Sequence, residues 1–349
     1  MYRFLVLCLS FFVANGFILR DKESLILVPT VAFRDETSKN WNVKNQGWYY
    51  EEDYIQAKIV EKSLEEILNK DFDFNRINLF AADGEKNKNV CIDNFNRTIC
   101  TNTDDEGRID NNFQFNETEL NQLTRINDNN NQTKLLYQVS VPKKNIRLQN
   151  EIYLCDHQGY TFISDIDDTI KITGVTSTID TLMNTFSGDF KAVQGMAEIY
   201  RFWQQKYQAT FAYLTASPDQ LYPFLREFLE RENFPMGSFH MRHFTWFDKN
   251  FLSFFFSTNY IASKMNTIEM FLKNTSHRKL ILLGDSFQKD PNIYANITMK
   301  YSDRIEKIFI RKYANDTNAQ VQLEQIFQNI PRNKWSTFET GYDLPREIF

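Results

Sequence analysis

The chain has no basic excess: Lys and Arg total 40 against 45 Asp and Glu, giving a formal charge of −5 and a pI near 5.6. That excludes a general nucleic-acid binder, which usually shows a basic balance or stripe. No later segment has the roughly 20 uncharged apolar residues that a membrane-crossing helix needs. Cysteine is scarce, four in 349 residues, so no dense disulfide framework holds the fold. Internal repeats are absent, which excludes a stacked array. What remains is a folded, soluble composition, 42% hydrophobic and 24% charged. The chain is long for a single core, so two domains are expected.

The first residues, MYRFLVLCLSFFVANGF, place Arg3 before an apolar run from Phe4 to Val13, followed by Ala14, Asn15 and Gly16. A basic start, a short apolar stretch and small residues at its end read as a cleaved signal peptide over 1–16. The competing reading is a buried N-terminal strand or helix. The expected destination is the secretory pathway, secreted or lumenal in the manner of a lysosome or vacuole. Cys8 leaves with the leader. Cys91 and Cys100 bracket a short polar stretch and can bridge in an oxidising compartment, which leaves Cys155 as a buried thiol. Glycosylation sequons stand at Asn96, Asn116, Asn131, Asn274, Asn296 and Asn315. A chain this rich in Asn yields most of them by chance, so they add little.

From 17 to 155 the pattern is β-rich. LILVPTVAF (25–33), WNVKNQGWYYE (41–51), LLYQVSVP (135–142) and EIYLC (151–155) are rich in β-branched and aromatic residues. One helical stretch interrupts them, with Ile55, Ile59, Leu64, Ile67 and Leu68 at helix-like spacing. The polar, Asn-rich segment near 87–133 reads as a long surface loop or insertion, the part most prone to disorder. From 156 to 349 short apolar runs alternate with helical patterns near 192–206, 219–232 and 260–273. Strands alternating with helices imply an α/β domain, Rossmann-like, with a parallel sheet covered on both faces. In such sheets ligands bind outside the carboxyl ends of the strands.

One such end is YTFISDIDDTIKIT (160–173), with Asp165, Asp167 and Asp168 directly after an apolar run. Charge at a buried strand end is costly unless something pairs with it. Three further segments share the pattern. FAYLTAS ends in Thr215 and Ser217, hydroxyls suited to phosphate oxygens. SKMNTIEMFLKN puts Lys264 near a helix start. KLILLGDSFQKD ends in Asp285, with Asp290 five residues later. Phosphoryl transfer needs this set. A carboxylate, Asp165, attacks phosphorus and splits one hard step into two. A second acid, Asp167, protonates the leaving oxygen and then activates water. Clustered carboxylates need a cation, and Mg²⁺ prefers oxygen ligands. Asp165, Asp285 and the main-chain carbonyl of Asp167 are the candidate metal ligands. Thr215, Ser217 and Lys264 would hold and stabilise the transferring group. Each piece alone has a bland reading: an acidic turn, a helix cap, a solvated lysine, a G-D-S turn.

In this order and spacing the four pieces resemble the haloacid dehalogenase-like phosphotransferases. FISDIDDTIK, GMAEIYRFW, YLTASP, NFPMGSFHMR, SKMNTIEMFL, LILLGDSFQKDPNIY and RIEKIFIRKY together resemble the catalytic domain of the actin-patch-protein type of phosphatidate phosphatase, from Gly159 to Tyr313. LVPTVAF and NQGWYYE look more weakly like that family's N-terminal β-domain. The resemblance implies Mg²⁺-dependent dephosphorylation of phosphatidate to diacylglycerol at a membrane surface, with little or no capping domain. It matches Asp165 to the nucleophile, Asp167 to the acid/base, Thr215 to the phosphate-binding hydroxyl and Lys264 to the stabilising lysine. Asp285 matches the metal-binding acid, and Asp290 the last acid of that motif, which completes a metal set of Asp165, Asp167, Asp285 and Asp290. Asp219 departs from the pattern, since Trp is common there; the leader and the Asn-rich insertion also depart from cytosolic members.

Two other functions compete: a phosphatase of a soluble or protein phosphate ester, and a secreted lipid- or anion-binding module without turnover. The intact set of acids counts against the second, because a pure anion binder gains nothing from a clustered negative site. FDKNFLSFFFSTNY (247–260) reads either as core or as an aromatic loop dipping into the lipid interface.

Overall fold

The computed structural model describes residues 23–93, 97–127, 133–174, 183–244, 259–313 and 316–349. The expected leader, the sequons at Asn96, Asn131 and Asn315, and nearly all of the Phe-rich segment at 247–260 lie outside the described residues.

The N-terminal region builds one large sheet. Its elements are β1 (Glu23–Val28), β2 (Thr30–Arg34), β3 (Trp41–Glu51), α1 (Tyr54–Leu68), α2 (Phe74–Ala81), β4 (Asp83–Gly84), β5 (Asn89–Ile92), β6 (Ile99–Asn102), β7 (Arg108–Phe115), α3 (Glu117–Gln122), β8 (Thr124–Asn127), β9 (Thr133–Val141) and β10 (Ile146–Cys155). The strands run in the order β1-β3-β2-β10-β9-β5-β6, with β4 and β7 also on β3 and β8 on β9. Among the described residues of this sheet, β2–β10 pairs parallel and the other pairings are antiparallel. Strand β3 alternates strictly over its first half: Trp41, Val43 and Asn45 point inward, Asn42, Lys44 and Gln46 outward. That period of two is what a half-buried strand requires. The buried Asn45 is satisfied, since its Oδ1 accepts the Tyr137 hydroxyl at 2.7 Å. Helix α1 starts where Asp53 accepts the Gln56 amide at 2.8 Å.

The polar stretch near 87–133 is not the surface loop its composition suggests. It contributes β5, β6, β7, α3 and β8. Val90, Ile92, Ile109, Phe113 and Phe115 pack into the sheet core, while Asp110, Asn112 and Gln114 of β7 face water. Average polarity hid short strands in which a few apolar residues are set among Asn, Asp and Gln. A disulfide joins Cys91 on β5 to Cys100 on β6, and Cys155 is a buried free thiol. Gly107, at φ +77°, is required: a Cβ there would lie 2.3 Å from the Tyr49 carbonyl oxygen.

The second region alternates as expected: β11 (Tyr160–Ser164), α4 (Met196–Tyr207), β12 (Thr210–Pro218), α5 (Tyr222–Arg231), β13 (Ser238–Arg242), α6 (Asn259–Asn274), β14 (Lys279–Asp285), α7 (Asp290–Lys300), β15 (Ile305–Arg311), α8 (Thr317–Ile326) and β16 (Trp335–Phe338). All six strands are parallel, in the order β13-β12-β11-β14-β15-β16. Both faces are covered. Phe162, Phe211 and Leu283 pack with Trp203 of α4 and Phe228 of α5, while Ile163, Leu214 and Leu282 pack with Phe271 of α6, Ile297 of α7 and Leu323 of α8. Near-continuous apolar strands follow from burial on both sides. The strand order reverses between β11 and β14, the kind of point beyond whose carboxyl ends parallel sheets bind ligands. The chain leaves β11 at Asp165 and reaches Asp285 at the end of β14.

Candidate active site

The turn after β11 is wound by its own backbone. The amides of Ile170 and Lys171 both donate to the Ile166 carbonyl, at 3.0 and 2.9 Å, with Ile166 and Ile170 buried beneath. Asp168 is the residue that secures this turn. It sits at φ +54°, and its Oδ1 accepts the amides of Thr173 and Gly174 at 2.8 and 2.9 Å. Arg311, from the end of β15, donates to the Asp168 carbonyl at 2.8 Å. The third carboxylate of the motif is therefore spent on shape. The first two are also buried, and each has its own set of partners.

Asp165 joins Asp285 and Asp290. Oxygens of the three lie within 4.8 Å of one another, and all three side chains are fully buried. Lys264, on α6, donates from Nζ to Asp165 Oδ1 and Asp290 Oδ1, both at 2.7 Å. Thr169 Oγ1 donates to the other Asp165 oxygen at 3.1 Å. Asp285 Oδ1 accepts the amides of Phe287 and Gln288 at 2.6 and 2.8 Å. Gly284 makes room for this: a Cβ there would come within 2.6 Å of Asp290 Oδ2. Asp285 Oδ2 and Asp290 Oδ2 are buried with no hydrogen-bond partner. Three carboxylates face one ammonium, and two buried oxygens are orphaned. Hard oxygen donors with an uncompensated negative charge fit a divalent cation such as Mg²⁺. Burial, with Asp290 and Asp167 adding to it against the pull of Lys264, pushes Asp165 up to about 8. Burial and the same carboxylate neighbours push Asp285 well above its ordinary value.

Asp167 lies on the other side of the turn, with its carboxylate outside this trio. Oδ1 pairs with Lys171 at 2.8 Å and accepts Thr173 Oγ1 at 2.8 Å. Oδ2 accepts Thr215 Oγ1 at 2.9 Å and Ser217 Oγ at 2.7 Å. Burial works to raise this carboxyl, but Lys171 and the hydroxyls outweigh it and hold it well below the usual range. Of the expected ligand set, Asp165, Asp285 and Asp290 come together through side chains, and Asp167 does not. Thr215 and Ser217 stand beside Asp167 at the end of β12, and Lys264 reaches across from α6.

Lys171, Thr173 and Thr169 escaped the sequence reading. Lys171 is only 2% exposed and lies 4.6 Å from the Phe190 ring centroid. A lysine between isoleucines in IKIT carried the signal, since a charge inside an apolar alternation is either exposed or paired.

Residues 160–312 match the family described as phosphatidate phosphatase APP1, catalytic domain. An uncharacterized protein of Schizosaccharomyces pombe is 27% identical over 253 residues, covering 70% of this chain and 38% of that protein. Phosphatidate phosphatase APP1 of Saccharomyces cerevisiae is 32% identical over 163 residues, covering 45% of this chain and 26% of that protein. The matched stretches thus span well under half the length of either relative. Among solved structures, a carbohydrate acetylesterase from Xanthomonas citri aligns over 91% of this chain and 69% of its own, at 7% identity and a TM-score of 0.31. That likeness is too slight to bear on fold or function. The carboxylate cluster and the Thr215–Ser217 segment fall wholly inside the stretch 160–312 that matches this catalytic-domain family.

Proposed function

We propose that the chain hydrolyses phosphatidate to diacylglycerol and phosphate, on a haloacid dehalogenase-like fold with a minimal cap. The observation that carries this is the pairing of a buried three-carboxylate cluster, with two orphaned oxygens, and a separate carboxylate held by two hydroxyls. Asp165 attacks phosphorus, forming a P–O bond to its carboxylate while the bond to the glycerol oxygen breaks. Asp167, ionised at rest beside Lys171, takes up the proton carried by the monoanionic phosphate ester and passes it to that oxygen, so the alcohol leaves neutral. Water then attacks phosphorus, Asp167 takes the water proton, and the bond to Asp165 breaks to release phosphate. Thr215 and Ser217 turn from Asp167 to the phosphate oxygens when substrate binds. Lys264 holds Asp165 and Asp290 in place and balances charge on the phosphoryl group. Mg²⁺, held by Asp165, Asp285 and Asp290 with the Asp167 carbonyl, would supply the remaining positive charge.

The test is phosphate release from phosphatidate in mixed micelles by wild type and Asp165→Asn, with Mg²⁺ and with chelator. Release that needs both Asp165 and Mg²⁺ is expected; activity undiminished by either change would sink the mechanism.

We also propose that the protein works in the secretory pathway. The Cys91–Cys100 bridge suits an oxidising compartment, and Asn116, Asn274 and Asn296 are exposed. Sequencing of the mature protein should find a start near Phe17, and a full-length cytosolic chain would overturn this.

A further inference from the structure

Helix α2 lies outside the matched stretch 160–312, yet it grips the segment that stands beside Lys171. The Asp73 amide, just before α2, donates to the Phe186 carbonyl at 2.6 Å. Arg76 Nη1 donates to the Thr185 carbonyl at 3.0 Å, and Asp73 Oδ2 lies 3.3 Å from Arg76 Nε. The Phe80 ring meets Phe186 edge-on at 4.8 Å. Arg76 is only 5% exposed, a buried charge that the proposed chemistry leaves without a part.

Beyond Phe186 the segment runs back along the catalytic turn. The Ile172 amide donates to the Lys191 carbonyl at 2.9 Å, and the Val193 amide donates to the Ile170 carbonyl at 2.8 Å. Lys171 lies between those two bonds, so the segment fixes its backbone. The segment fixes its side chain as well. The Phe190 ring centroid lies 4.6 Å from the Lys171 ammonium, and the same ring lies 4.1 Å from the Arg76 guanidinium carbon. A cation over an aromatic face is attracted by the ring's quadrupole, more strongly where water is excluded. Lys171 in turn reaches Asp167 Oδ1 at 2.8 Å. A lysine stem is flexible by itself, and a fixed ring behind it narrows where the ammonium can sit. Arg76 binds both that ring and the Thr185 carbonyl, so one guanidinium holds the two parts of the segment together.

We propose that Arg76 is a positioning residue for the reaction. By bracing Phe190 and Thr185 it holds Lys171 where Lys171 keeps the Asp167 carboxylate beside Thr215 and Ser217. The proposal rests on the phosphatase reading above. It gives α2 a part in the chemistry that comes through packing, without contact with substrate.

The experiment is a double-variant cycle on the full chain, reading kcat and KM for phosphatidate in mixed micelles with Mg²⁺. Arg76→Met keeps most of the side chain's bulk and removes its charge and donors. Its kcat should fall about ten- to a hundredfold with KM nearly unchanged, since a misplacement of about 1 Å can cost about a hundredfold. In the Asp167→Asn background the same change should cost nothing further, because the group it positions is already gone. Arg76→Lys, which restores a cation and a donor, should recover most of the loss. The Mg²⁺ concentration for half-maximal activity should stay at the wild-type value, because none of these contacts reaches Asp285 or Asp290. Arg231 also donates to the Phe190 carbonyl, so the segment keeps that tether when Arg76 is changed. Phe190→Leu removes the shared ring and must show the same pattern, which decides the case in which Arg76→Met does not fold. Losses that multiply in the double variant, a raised Mg²⁺ requirement, or no loss at all overturn the Arg76 proposal and leave the phosphatase reading standing. Where Asp167→Asn has no turnover left to compare, recovery in Arg76→Lys with an unchanged Mg²⁺ requirement supports the proposal, and the lack of either overturns it. A wild type that releases no phosphate from phosphatidate overturns the phosphatase reading and this proposal together.

Discussion

Asp165 and Asp167 leave the same strand two residues apart, and the fold treats them in opposite ways. Asp165 shares Lys264 with Asp290 and lies against Asp285, so burial and like charges push its carboxyl up to about 8. Asp167 has Lys171 and three hydroxyls to itself, and its carboxyl is held low. The two sides of one turn are thus an under-compensated site and a fully compensated one. The first is the side we propose to hold a cation. The second has an ammonium and three hydroxyls around its two oxygens. Pairs of titratable groups whose surroundings push them apart are a common basis for dividing roles in catalysis.

The largest effects should come from breaking each side in turn. Asp165→Asn is expected to reduce phosphate release to background with the fold intact, because an amide cannot attack phosphorus. Asp167→Asn should lose about 10²- to 10⁴-fold, the usual contribution of a general acid/base. Steady-state assays on phosphatidate, with circular dichroism to confirm folding, check both. Near wild-type turnover in purified Asp165→Asn would break the comparison at its root.

Next in size is the compensated side. Lys171→Met leaves Asp167 buried without its counter-ion, so unfolding free energy should fall by about 3–5 kcal/mol. Adding Asp167→Asn to Lys171→Met removes the stranded charge and should recover part of that loss. Urea unfolding of the two single variants and the double variant gives the coupling energy directly. Simple additivity would mean that Lys171 acts through packing against Phe190 and not through charge.

How much of this was legible in the sequence depended on whether a signal was local. The alternating strands and helices after Tyr160 carry strong apolar runs, so β11, β12, β14 and the helices between them fall close to where periodicity puts them. Asp165, Thr215, Lys264 and Asp285 follow from their places at strand ends and a helix start. Lys171 and Thr173 do not, because their partner Asp167 is reached only after the turn folds back on itself. The same limit hid β5 to β8. Their few apolar residues are set among Asn and Asp, and only pairing with β3 and β9 makes them part of a sheet. Helix α8 and strand β16 lay beyond the last motif and drew no reading, although β16 completes the sheet beside β15.

A smaller and more specific effect should follow at the under-compensated side. Asp285 holds one oxygen on the Phe287 and Gln288 amides and leaves the other without a partner. Asp285→Ala is expected to raise the Mg²⁺ concentration needed for half-maximal activity, and to reduce the rise in melting temperature that Mg²⁺ gives the wild type. The thermal readout needs no turnover. A Mg²⁺-induced rise in melting temperature that is unchanged in Asp285→Ala would place the ion elsewhere.

The smallest expected effect separates the two carboxylates by the sign of their pH dependence. In metal-free protein Asp165 is raised from an ordinary 3.8 to about 8. Between those values the folded chain binds a proton that the unfolded chain has released. The stability from this group is complete below about pH 4 and is lost as pH rises through about 8. Asp167 has the opposite sign. Its folded value is depressed from 3.8, so its stabilisation is present above that value and is lost as pH falls through the folded value into strong acid. In chelator, the melting temperature of the wild type should therefore drop relative to Asp165→Asn from about pH 4 to about pH 8. Relative to Asp167→Asn, the wild type should lose its advantage only in acid. Adding Mg²⁺ should flatten the first difference, because the ion compensates Asp165, and leave the second in place, because Lys171 already compensates Asp167. Parallel curves for the two variants across the range would show that the fold does not distinguish these carboxylates after all.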